Sequence, residues 1–158
     1  MNAKQNSTQE VKPERIAYRF EVLDWGIVTR MLVTPSDYKQ IIKEPHVEFT
    51  ELAFVCKMTS PVIEGVTFAE VVLVAEPQME VGQLNFSPND IGDMRILRKF
   101  YLSIRCHVSQ RLLDTVLAAS SAGKISHLLI FGDKLIKSGV PVYDLSISTN
   151  IEHMISYA

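Results

Sequence analysis

Hydrophobic and polar residues alternate where the chain first becomes apolar. Tyr18, Phe20 and Val22 interleave with Arg19 and Glu21, the two-residue period of a half-buried strand starting near Ile16. Asp24-Trp25-Gly26 reads as a turn, and Ile27 to Val33 as the returning arm of a hairpin. Thr34-Pro35 opens a short helix: Thr can cap free N–H groups, and Pro at the first helical position lacks only an N–H that would have no partner. Tyr38, Ile41 and Ile42 share its apolar face, and it stops before Pro45.

From Phe49 to Met58 the alternation returns, with Leu52, Phe54, Cys56 and Met58 on one face and Glu51, Ala53, Val55 and Lys57 on the other. Pro61 and Glu64-Gly65 punctuate, Val66 to Ala75 forms another strand, and Pro77 ends it. Val81, Leu84 and Phe86 suggest a short edge strand, followed by loop through Ser87-Pro88-Asn89-Asp90 and Gly92. Leu97 to His107 is the clearest strand: Phe100, Leu102, Ile104 and Cys106 point one way, Lys99, Tyr101, Ser103, Arg105 and His107 the other. Ser109 is a helix N-cap, Leu112, Leu113, Val116 and Leu117 form the apolar face, and Gly123 stands where a left-handed C-cap glycine belongs. Ile125 to Phe131 is a strand, Gly132-Asp133 a break, and Val140 to Ser148 a further strand. The last ten residues show no clear period.

A shift of about 75 residues superposes Thr34, Tyr38, Ile41 and Ile42 on Ser109, Leu113, Val116 and Leu117. A shift of about 74 lays Gly65–Leu73 over Gly139–Ile147. The expected architecture is therefore a β-rich α+β domain over 15–158. Two helices cover antiparallel sheet, and a ββαββ unit is duplicated over 15–77 and 78–150, related by a pseudo-twofold. In element order this unit resembles the sliding-clamp type of fold, although the chain carries no clamp motif and no basic helix for a DNA channel.

Composition narrows the class. With 158 residues, 47% of them hydrophobic, the chain can bury a core without disulfides or metals, and disorder is excluded as its main state. Apolar runs such as Val71 to Ala75 fall far short of the roughly 20 residues of a membrane helix, so no membrane partner is expected. Residues 1–14 are polar and read as a disordered arm without the apolar stretch of a secretory signal. Together with two cysteines, read as reduced thiols rather than one disulfide, this points to the cytoplasm.

The net charge of −2 is unevenly spread: +2 over residues 1–43, −8 over 44–94 and +4 over 95–158. Between Asp93 and Asp114 stand Arg95, Arg98, Lys99, Arg105 and Arg111, with no acid. Arg98, Lys99, Tyr101, Arg105, His107 and Arg111 are accordingly the candidate partner-binding residues. They are suited to an acidic protein surface, such as the 44–94 segment of another copy. Cations beside a stackable aromatic also suit single-stranded nucleic acid, but the negative net charge and the lack of an aromatic strand motif make that partner unlikely.

Catalytic signals are weak. The chain has no phosphate loop, nucleophile elbow or paired-histidine zinc motif, and its four histidines match no ligand spacing, so no cofactor or metal is implied. Cys106 and His107 are adjacent in a strand and point to opposite faces, which prevents a nucleophile–base pair. Glu70 and Asp144 match in the two hairpins and could meet as a carboxylate pair. His127 reads as a partly buried, hydrogen-bonded histidine, and Trp25 as an aromatic packed at the turn. The expected function is non-enzymatic protein binding or self-assembly as a homo-oligomer. The alternatives are an enzyme or ligand-binding protein with a pocket between the halves, or a weak nucleic-acid binder through 95–111.

Overall fold

The computed structural model describes residues 13–33, 46–76, 89–98, 101–136 and 139–148. They form β1 (Arg15–Val33), β2 (His46–Ser60), β3 (Phe68–Ala75), β4 (Gly92–Arg98), β5 (Tyr101–Val108), α1 (Gln110–Ser121), β6 (His127–Asp133) and β7 (Val140–Ser148). The strands close into a barrel in the order β1-β2-β3-β5-β4-β7-β6, with β6 returning to β1. Closure follows from the pattern of burial. Phe20, Leu52, Phe54, Val71, Leu73, Met94, Leu102, Ile104, Leu128 and Ile130 are fully buried, one side-chain face per strand, and together fill the interior.

α1 lies between the end of β5 and the start of β6, strands that are not neighbours in the sheet. Its buried Leu113 and Val116 join the barrel core, so the helix covers one end of the barrel. Ser109 Oγ accepts the Leu112 N–H at 3.1 Å, the capping bond expected of that residue. Gly123, at φ +67°, donates its N–H to Ser120 C=O at 2.9 Å and ends the helix as expected. Leu113 and Val116 face inward as expected, while Leu112 is exposed.

Several expectations are corrected. Asp24-Trp25-Gly26 is not a turn: β1 runs through it, paired with β2 from Arg19 to Val33. The register skips Leu23, a bulge that absorbs one extra residue without reversing the chain. The single strand from Leu97 to His107 is two antiparallel strands, β4 and β5. Apolar alternation continues across the reversal and so hides it. Gly92 and Gly132 are strand residues, not loop or break. A Cβ on Gly92 would lie against the Arg105 carbonyl, and one on Gly132 would lie 2.8 Å from the Pro141 carbonyl oxygen. Their lack of a side chain therefore serves close strand approach.

The sheet is also not purely antiparallel. β3 and β5 are parallel, because the chain leaving Ala75 passes the place of β5, enters β4, and only then folds back into the gap. Among the described residues 78–150 carries β4, β5, α1, β6 and β7, a ββαββ order, while β1 is one strand where a hairpin is expected in 15–77, and the helix expected in that half lies outside the described residues. The element-order likeness to a clamp ends there too, since this sheet closes on itself. The helix expected after Thr34, the edge strand at Val81–Phe86, residues 1–12, Lys99 and Phe100, and the last ten residues lie outside the described residues.

Candidate functional site

The basic run is taken apart by the fold. Arg95 pairs with Asp93 in its own strand. Arg98 ends β4 opposite Tyr101, Lys99 lies outside the described residues, and Arg111 sits exposed in the first turn of α1, away from the strand face. Only Tyr101, Ser103, Arg105 and His107 share the outer face of β5, as the strand period predicts.

On that face Arg105 and His107 are held from within the chain. Arg105 reaches across β3 to Glu51 of β2, placing Nη2 2.5 Å from Oε1. Glu51 is only 4% exposed although it points outward, and the charge-assisted bond compensates the burial of its carboxylate. His107 Nδ1 lies 3.1 Å from Glu76 Oε1, just past the end of β3. The acidic segment that charge analysis offers to a second copy thus meets the basic strand inside one molecule, because β3 carries the end of that segment alongside β5. Sequence reasoning missed Glu51. It occupies an ordinary polar position of its strand, and its partner is two strands away.

Tyr101 stands beside Phe68 in the parallel register, and Phe68 is 41% exposed, so the lower part of this face is aromatic. Glu70 and Asp144 are not brought together: their strands are separated in the barrel by β5 and β4. His127 is half-buried with Nδ1 2.8 Å from Ser126 Oγ, matching its sequence reading. Trp25 is opposite Phe54 and packs against the core, although in a strand and not a turn. Cys56 and Cys106 are fully buried, and burial pushes each thiol up to about 12. Among the described residues, no three His, Cys, Asp or Glu side chains gather as a metal site, and no helix is long and apolar enough to cross a membrane.

A second polar cluster closes the other end of the barrel. Tyr18 Oη donates to the Asp133 carbonyl at 2.9 Å and accepts the Leu135 N–H at 2.8 Å. Tyr143 Oη donates to Asp133 Oδ2 at 3.2 Å, and the Arg15 guanidinium stacks 4.3 Å from the Tyr143 ring centroid. These bonds fasten the first strand to the sixth and seventh.

The feature most open to a partner is a strand edge. β1 pairs with β6 only from Arg15 to Glu21, and the last bond on that side runs from Val22 N–H to Ser126 C=O at 2.8 Å. From Leu23 to Val33 that edge faces no described strand, while the other edge stays paired with β2. β2 in turn meets β3 only from Glu51 onward, so the far part of the β1–β2 pair extends beyond the barrel as a two-stranded ribbon. On β1 before that ribbon, Leu23 is 51%, Ile27 47% and Val28 40% exposed. No signal in the sequence marks this edge, because alternation is the same in a paired and an unpaired strand. Against family models, curated proteins and solved structures the chain has no match, so its function has to be read from this geometry.

Proposed function

We propose that this protein is a non-enzymatic binding module that takes up a polypeptide strand along the free edge of β1. One observation carries the reading: past the point where the barrel closes, β1 continues with exposed apolar residues and no described strand on that edge, the Trp25 N–H being held by Asp24 Oδ1 at 2.8 Å. Such an edge presents a row of N–H and C=O groups that a strand from another chain can pair. Natural sheets usually blunt such edges with Lys, Pro or a covering loop, and Leu23 to Val33 contains neither Lys nor Pro. The basic face of β5 is less suited to a protein partner, since Arg105 and His107 are already engaged with Glu51 and Glu76. The same engagement weakens the case for nucleic acid, which needs free cations.

The chain's single tryptophan, Trp25, lies on this edge and reports on it. A synthetic peptide of residues 23–33 with Phe in place of Trp25 should shift the Trp25 emission of the protein in a saturable way. Ile27→Lys with Val28→Lys should abolish the shift while far-ultraviolet circular dichroism stays unchanged. An emission that ignores the peptide at all concentrations would remove the reading.

A further inference from the structure

Resting on the strand-uptake reading above, we infer that the strand taken up is β1 of a second copy, paired antiparallel about a twofold axis at Ile27. An interface between identical chains related by a twofold must be complementary to itself. In an antiparallel pair, directly opposed residues share a face, so a twofold register is centred on a residue. Centring on Ile27 sets Ile27 against Ile27, Gly26 against Val28 and Trp25 against Thr29. It also sets Asp24 against Arg30, twice by symmetry. This register therefore places the segment's one acidic position opposite its one basic position. Asp24 Oδ1 accepts the Trp25 N–H at 2.8 Å, which leaves the second carboxylate oxygen for the pair. Centring one residue later, on Val28, would set Asp24 against Leu32 and Arg30 against Gly26. Centring one earlier, on Gly26, would set Asp24 against Val28. Only the Ile27 register pairs both charges, and cross-strand pairs of opposite charge favour a register just as like charges oppose it.

The local structure agrees with the register. β1 is regular from Asp24 onward, with no further shift against β2, so the residues keep one unbroken alternation of faces. The outer face carries Asp24, Gly26 and Val28. The small Gly26 leaves room opposite Val28, with no heavy atom within 4 Å of the place a methyl group would take there. Ile27 and Val28, at the centre of the paired segment, are the exposed apolar residues that pairing would cover.

The test is a charge swap read by light-scattering mass over a concentration series. Asp24→Arg alone and Arg30→Asp alone should each raise the dimer dissociation constant about tenfold, since each breaks two symmetric pairs. The double variant should restore dimerisation, because the charges are exchanged and still opposed. In a second arm, mild oxidation should cross-link Ile27→Cys to itself and leave Thr29→Cys monomeric, with Cys56 and Cys106 buried in both. A protein that stays monomeric at every concentration, yet still shifts its Trp25 emission with the 23–33 peptide, would overturn the second copy and leave strand uptake standing. A dimer indifferent to the swaps, or one that cross-links through Thr29→Cys and not Ile27→Cys, would overturn the register.

Discussion

At the scale of single residues, burial decides the chemistry of the two thiols. Cys56 and Cys106 occupy inward positions of β2 and β5 and are fully buried, so ionising them would place a charge in the core. With both pushed up to about 12, the thiolate fraction at pH 8 is about one in 10⁴. Iodoacetamide at pH 8 should therefore modify neither thiol in the native protein on the timescale that modifies both in denaturant. The same shift sets an alkaline limit. Unfolded thiols titrate near their ordinary value of 9.0, so above about pH 9 the unfolded chain binds fewer protons than the folded one. Stability should hold below about pH 9 and fall as the pH rises from there towards about 12. Thermal melts across that window should show the fall, and Cys106→Ala should make it shallower. The inward direction of both thiols was legible from strand alternation alone. The partner of Arg105 was not, because a period of two says which face a residue takes and nothing about which strand lies next to it.

At the scale of elements, the helix was the most legible part of the chain. Its N-cap, apolar face and terminal glycine are all local, and each sits where the sequence places it except Leu112, which is exposed. Leu113, at 2% exposure, contributes by filling the end of the barrel. Leu113→Ala should cost about 2–5 kcal/mol of stability, through lost burial plus the cavity left behind. Chemical denaturation would read this directly, and Leu112→Ala, on the exposed side of the same turn, should change stability by well under about 1 kcal/mol. Strand boundaries were less legible. The bulge at Leu23 moves the inward positions of β1 from even to odd numbers, and the reversal between β4 and β5 keeps alternation intact, so a turn was expected where the strand continues and a strand where the chain turns. Gly92 and Gly132 misled for a related reason: glycine marks both a break and a close approach, and only the neighbouring strand distinguishes them.

At the scale of the whole molecule, the barrel depends on joining distant parts of the chain. Closure sets Phe20 against Leu128 and Tyr18 against Ile130. Tyr18 then secures it by bonding the Asp133 carbonyl and the Leu135 N–H, with the ring almost fully buried. Tyr18→Phe keeps the ring and removes both bonds. It should lower stability by about 1–3 kcal/mol, with the denaturant slope unchanged because the exposed area on unfolding is the same. A change in slope would show that the barrel had opened and not merely weakened. The edge of β1 beyond Glu21 belongs to this scale as well, since among the described residues it has no partner strand only because β6 begins at His127.

Local sequence was enough to establish which positions face the core, where α1 begins and ends, and that the chain is rich in strands with an uneven charge. These properties depend on residues within a few positions of one another, through side-chain alternation, capping and backbone preference. The closed order of the strands, the parallel pairing of β3 with β5, the bond between Arg105 and Glu51 and the limit of β1–β6 pairing at Glu21 emerged only with the assembled barrel. Each of these depends on which strand lies beside which. Neighbours in a sheet are chosen by how the whole chain closes its backbone hydrogen bonds around one apolar interior, a condition that no short stretch of sequence contains.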